Sequence, residues 1–160
     1  MVYGFDMRNV LRVFIALWYL LGWMSHVYLV FSAPETYQIF GNTAMLPAYV
    51  HFWQNIIMPH ITILALLLAG FELIVGAMLI SKGKWVKTGL VLSIMFNLFL
   101  VQMGLGIESA DPLSHFSFNR LPNLIFIVLQ IPLFWGQYNY SIPEWIQYKF
   151  FTKQRYNSYE

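Results

Sequence analysis

Glu72 stands in the middle of the apolar run 61–80 and is the chain's most informative ionisable group. An ionised carboxylate at mid-bilayer depth costs at least about 2.5–3.5 kcal/mol even on insertion scales, so it requires an internal partner, a proton or water. Two readings follow. The carboxyl either exchanges protons as part of a functional site, or it hydrogen-bonds neighbouring helices as packing glue. The groups that could share its chemistry are the polar residues inside the other apolar runs: Tyr19, His26, Asn97 and Gln130. Counting about 1.5 Å per residue from the ends of each run places Glu72, Asn97 and Gln130 within roughly one turn of a common level, where they would form one polar layer. His26 falls further outward, nearer Asn123. Asn97 is therefore the expected first partner of Glu72, with Tyr19, Gln130 and His26 as alternatives.

These residues are interior only if the surroundings are lipid, and composition says they are. The chain of 160 residues is 59% hydrophobic and only 10% charged, with a mean hydropathy of +0.59, far from the balance of a soluble domain. Four runs qualify as membrane spans, at residues 10–31, 61–80, 86–105 and 121–136, the last of them short for a hydrocarbon core that needs about 20 residues. The expected architecture is all-α: an integral membrane four-helix antiparallel bundle over residues 1–140, followed by a cytoplasmic amphipathic helix and tail over 141–160. Nine Lys and Arg against seven Asp and Glu leave a net charge of +2, with no basic surface dense enough for nucleic acid. With no cysteine, neither a disulfide framework nor a thiolate site exists.

Each span carries one stripe of small and polar residues. Ala65, Ala69, Glu72 and Gly76 are spaced 4, 3 and 4, which puts them on one helix face and turns Glu72 toward another helix. Gly89, Ser93, Asn97, Leu100 and Gly104 repeat the pattern in the third span, and Arg12, Ala16, Tyr19, Gly22 and His26 in the first. The fourth offers Asn123, Ile127 and Gln130, followed by Pro132, which should weaken its last turns. Arg8, Arg12, Lys82, Lys84, Lys87, Lys149, Lys153 and Arg155 fall on one side of this topology and Arg120 on the other. The positive-inside rule then makes both termini and the 81–87 turn cytoplasmic, with 32–60 and 106–120 outside. The apolar run from Val13 to Phe31 is too long for a usual signal-peptide core and is read as an uncleaved first helix, a processing site near Val30-Phe31-Ser32 being the competing reading.

The outer side collects His26, His51, His60 and His115 with Glu35, Glu108 and Asp111. Imidazole and carboxylate are metal ligands, but no pair has helical ligand spacing. No metal is expected, a site on His26 and His60 being the alternative. Residues 47–58, opening with Pro47 and carrying Tyr49, Phe52 and Trp53, should form a short outer helix lying in the interface. Ser141-Ile142-Pro143-Glu144 has the form of a capping box ahead of Trp145 and Ile146 and should start the cytoplasmic surface helix.

Leu11-Arg12 opening the first span, Gly22 further along it, and Gly70-Phe71-Glu72-Leu73-Ile74-Val75-Gly76 leading to Gly83 and a basic turn together resemble the DoxX-like four-helix membrane proteins. The resemblance covers roughly residues 10–101. It implies a membrane subunit of the kind that accompanies quinone-linked oxidoreductases, with other membrane subunits as partners and a quinone as the candidate cofactor; no nucleophile-base pair, phosphate loop or haem-ligand pair at matched depth argues for activity on its own. Glu72, Asn97, Gln130, His26 and Tyr19 are the residues expected to form a proton or quinone site, in a prokaryotic cytoplasmic membrane. A non-catalytic accessory subunit is the alternative. A small transporter is disfavoured, because four spans without an internal repeat leave little material for alternating access.

Overall fold

The computed structural model describes residues 7–149, and every regular element among them is helical. Helix α1 (Met7–Ser32) runs the length of the molecule and leads through a 3-10 turn (Pro34–Tyr37) into the short α2 (Gln38–Asn42). Helix α3 (Pro47–Phe52) continues through a π turn (Trp53–Ile57) and a 3-10 turn (Met58–His60) into α4 (Ile61–Ile80). Then follow α5 (Lys84–Met103), α6 (Pro112–Asn119), α7 (Leu121–Gln130) with a 3-10 extension (Ile131–Trp135), and α8 (Ile142–Gln147).

Three helical stretches are long and apolar enough to cross a membrane: Met7–Ser32, Pro47–Ile80 and Lys84–Met103. The pair α6 and α7, bent by 41°, makes a fourth only if the two are one broken span. The expected fourth run is helical over Leu121–Trp135, with the weakening that Pro132 predicts. Its last turns tighten to 3-10 because Pro132 has no N–H and its ring displaces the carbonyl four residues back. Phe14, Leu17, Trp18, Leu21, Met24, Ile63, Leu67, Met95 and Val128 point outward, the arrangement of an integral membrane protein whose solvent is acyl chain.

The expected separate interfacial helix at 47–58 is also different. Helical residues continue from Pro47 into α4, so this segment is the N-terminal extension of a long helix. Pro59 accounts for the irregular turns: its ring clashes with the carbonyl of Asn55, and the chain absorbs the mismatch as a π turn followed by a 3-10 turn.

Helices α1 and α4 form the most extensive pair and run antiparallel. Gly76 makes their approach possible, since a Cβ there would meet Leu20 Cγ at 2.7 Å. Around this seam Ile15, Ala16, Tyr19, Val75, Leu79, Val86, Leu90 and Leu133 form one buried core. At the end carrying Lys82 and Lys84, the basic end, Arg12 is fully buried: Nε donates to the Leu79 carbonyl at 2.6 Å and Nη2 to the Ile80 carbonyl at 3.0 Å and to that of Ser81. It thus caps α4, whose last carbonyls have no intrahelical donors. Its guanidinium also lies 4.8 Å over the Tyr138 ring. The turn to α5 uses Gly83 at φ +64°, and its N–H donates to the Tyr138 carbonyl at 2.7 Å.

At the opposite, loop end, Asn119 organises residues 104–107. Its Oδ1 accepts from the N–H groups of Leu105 and Ile107, both at 3.0 Å, and its Nδ2 donates to the carbonyl of Ile107 at 2.6 Å. The expected capping box is present at α8, with Ser141 Oγ accepting from the Glu144 N–H and the Glu144 carboxylate accepting from the Ser141 N–H at 2.8 Å. Lys82 holds the same carboxylate at 2.9 Å. The tail beyond, with Lys153 and Arg155, lies outside the described residues.

Candidate functional site

Glu72 is buried on the face of α4 that meets α1. Gly22 on α1 makes the room: a Cβ there would stand 3.0 Å from Glu72 Oε2. One turn further along α1, His26 Nε2 lies 3.5 Å from Glu72 Oε1, within ion-pair range and somewhat longer than a hydrogen bond. The other imidazole nitrogen, Nδ1, is 2.7 Å from the Tyr37 hydroxyl. Carboxyl, imidazole and phenol therefore stand in line from the bundle interior toward the loop end.

Tyr37 is held from both sides. Its ring stacks on His26 with centroids 5.9 Å apart, and its carbonyl accepts from the Trp53 indole N–H at 2.8 Å. Trp53 in turn fits over Gly41, where a Cβ would come within 2.7 Å of its ring. The π turn beginning at Trp53 thus serves to aim a residue of α2's leading turn at the site. Burial, with the Glu72 charge second, pushes the Tyr37 phenol up to about 12, so it remains a hydroxyl at ordinary pH. With Tyr37 donating to Nδ1, the imidazole presents Nε2–H to Glu72; protonated, it would present donors to both neighbours.

The expected polar layer divides. Asn97 does not hydrogen-bond Glu72: its Nδ2 donates to the Tyr19 hydroxyl at 3.0 Å and to the Ser93 carbonyl at 2.8 Å. Tyr19 OH and Ser93 Oγ are 2.8 Å apart, closing a separate network between α1 and α5. Gln130 donates back to the Phe126 carbonyl at 3.1 Å and joins neither group. The correction has a simple cause. Glu72 faces the tight α1–α4 seam, whereas Asn97 faces Tyr19 one turn closer to the basic end. His26, one of the alternatives, is the residue that reaches the carboxyl. Tyr37 was not anticipated, because its place depends on how the 33–42 segment folds rather than on any helical period; the aromatic richness of the outer segment was its only signal.

Glu72 Oε2 has no hydrogen-bond partner among the described residues, nor have Gln130 Oε1, Asn123 Nδ2 and Arg120 Nη1. An orphaned buried carboxyl oxygen is costly. His60 sits exposed in the 3-10 turn ahead of α4 and shares no hydrogen bond with His26; among the described residues no three metal-ligating side chains converge. An open cleft of ≈ 310 Å³ lies at the basic end, lined by Arg8, Asn9, Trp135, Gly136, Gln137 and Tyr138, away from Glu72. The chain matches no protein-family model, no curated protein and no solved structure.

Proposed function

We propose that this protein is a four-span membrane subunit of a larger, redox-linked complex, and that Glu72, His26 and Tyr37 form its proton-exchange site. The observation that carries the reading is the 3.5 Å approach of His26 Nε2 to a buried carboxyl whose second oxygen is unpartnered. Carboxyl and imidazole are the groups best suited to passing a proton, and imidazole can accept at one nitrogen while releasing at the other. The likeness of the segment around Glu72 to DoxX-like subunits supports the redox assignment. A quinone ring does not fit between α1 and α4, where Gly22 and Gly76 bring the helices into contact. In this reading a quinone belongs to a neighbouring subunit, and this chain handles the proton.

Purification of the native assembly in mild detergent tests the proposal. The expected result is co-migration with at least one chain that carries a redox centre. A chain that runs alone, with no redox partner in the membrane, overturns it. The competing reading, an accessory subunit in which Glu72 only packs, is favoured by how closely the carboxyl fits against Gly22.

A further inference from the structure

The groups that could carry a proton are distributed unequally on the two sides of Glu72. Toward the loop end stand His26 and then Tyr37, within 3.5 Å and 2.7 Å of one another in sequence, and the His26 side chain is 18% exposed. Toward the basic end, the next turns of α4 bring Val75 and Leu79, and α1 brings Ile15 and Ala16, all essentially fully buried. Glu72 to Leu79 is about 10 Å of helix lined by apolar side chains. Tyr19 is committed to Ser93 and Asn97, and beyond it Val86, Leu90 and Leu133 close the core. The plug ends at Arg12, a fixed cation whose donors are taken up by the carbonyls that end α4.

The remaining groups on the elements around α4 do not supply a second route. From α1 the titratable neighbours are Tyr19 and His26, and from the Pro34–Tyr37 turn Tyr37, with Glu35 exposed at the surface. Helix α5 offers the uncharged Ser93 and Asn97, its lysines Lys84 and Lys87 standing at the basic end, and α7 offers the uncharged Asn123 and Gln130. His60 is exposed ahead of α4, and Arg120 is directed at the Thr43 carbonyl.

We infer that Glu72 exchanges its proton with one face of the membrane alone, the face carrying Tyr37, through His26. The inference rests on the proton-exchange reading of the site and adds a direction to it. It makes the site a dead end for protons from the bulk: a proton both reaches and leaves Glu72 by the loop end, and none passes through the bundle.

The full chain in proteoliposomes of known orientation tests this by infrared difference spectroscopy. The protonated-carboxyl stretch is assigned by its loss in Glu72→Gln, and the pH is stepped on one side at a time with the other side buffered. The band is expected to follow the pH on the Tyr37 face and to ignore the opposite face. His26→Ala should slow the response about a hundredfold, the lower end of what a positioned proton-transfer group contributes. Tyr37→Phe, which keeps the ring that stacks on His26, should slow it less, and serves if His26→Ala fails to fold. A band that follows pH from both faces, or from the basic end only, overturns the one-sided route and leaves the site standing. A carboxyl that never titrates from either face removes the site itself.

Discussion

Glu72 and Arg12 meet the same difficulty, an ionisable group inside an apolar bundle, with different kinds of partner. Arg12 finds backbone carbonyls: its planar fork spans the end of α4 from Leu79 to Ser81, a geometry an ammonium cannot reproduce. Arg12→Met should therefore lower stability by about 3 kcal/mol, the loss of several charge-assisted hydrogen bonds offset in part by packing. Thermal unfolding in detergent would show it, with Arg12→Lys recovering only part; an unchanged midpoint would mean that water caps α4 equally well. Glu72 finds a second ionisable group, which is why its contact can change with protonation while that of Arg12 cannot. Both residues stood out in the sequence as members of small-residue stripes, but their partners did not. Counting along helices gives a depth and a face, and it misassigned Glu72 to Asn97 because the imidazole of His26 extends back along α1 and the α1–α4 seam excludes α5.

Among the elements, those read most readily from sequence were the long apolar helices, the stripe that buries Glu72, and the Ser141–Glu144 cap. The weakening at Pro132 was legible too, but the way the chain passes Pro59 was not. The segment 47–58, expected as a separate interfacial helix, instead runs on through π and 3-10 turns around Pro59 into α4. Besides the burial of Ile142, the fastening of α8 has an electrostatic part that depends on pH. Lys82, followed by the Ser141 N–H, holds the Glu144 carboxyl down at about 2 against its ordinary 4.5. Because the shift is downward in the docked state, its contribution is complete above pH 4.5 and is lost as the pH falls toward 2. Hydrogen-exchange protection across 142–147, taken relative to the intrinsic rate at each pH, should fall over that window and, at neutral pH, with added salt, the pair being exposed. Protection that ignores both variables would assign α8 to membrane anchoring through Trp145 and Ile146 instead. At the other end, Gly104 sits at φ +86°, and a Cβ there would lie 2.2 Å from Arg120 Nη1 and 2.6 Å from Thr43 Oγ1. Gly104→Ala should cost about 1–3 kcal/mol through strain and overpacking and loosen the 104–107 loop. Limited proteolysis in that loop would report it, and wild-type resistance would count against the packing described.

At the scale of the whole molecule, the helical class of the described residues and the membrane habit follow from composition and from three apolar helices, while the expected sidedness rests on charge alone. The segregation of lysine and arginine predicts a cytoplasmic basic end, which requires the bent α6–α7 pair to act as a fourth span. A reporter at the C-terminus should be cytoplasmic and one inserted near Gly41 external; both on one side would remove the fourth crossing. Under that predicted topology the face with which Glu72 exchanges its proton is the outer one. The decisive measurement is proton-coupled turnover of the native complex carrying Glu72→Gln, an amide that keeps the carboxyl's shape and its capacity to hydrogen-bond but cannot exchange a proton. A complex that assembles with all its chains yet loses turnover coupled to proton release is the predicted result. Assembly and turnover both equal to wild type would contradict it and leave Glu72 as packing between α1 and α4.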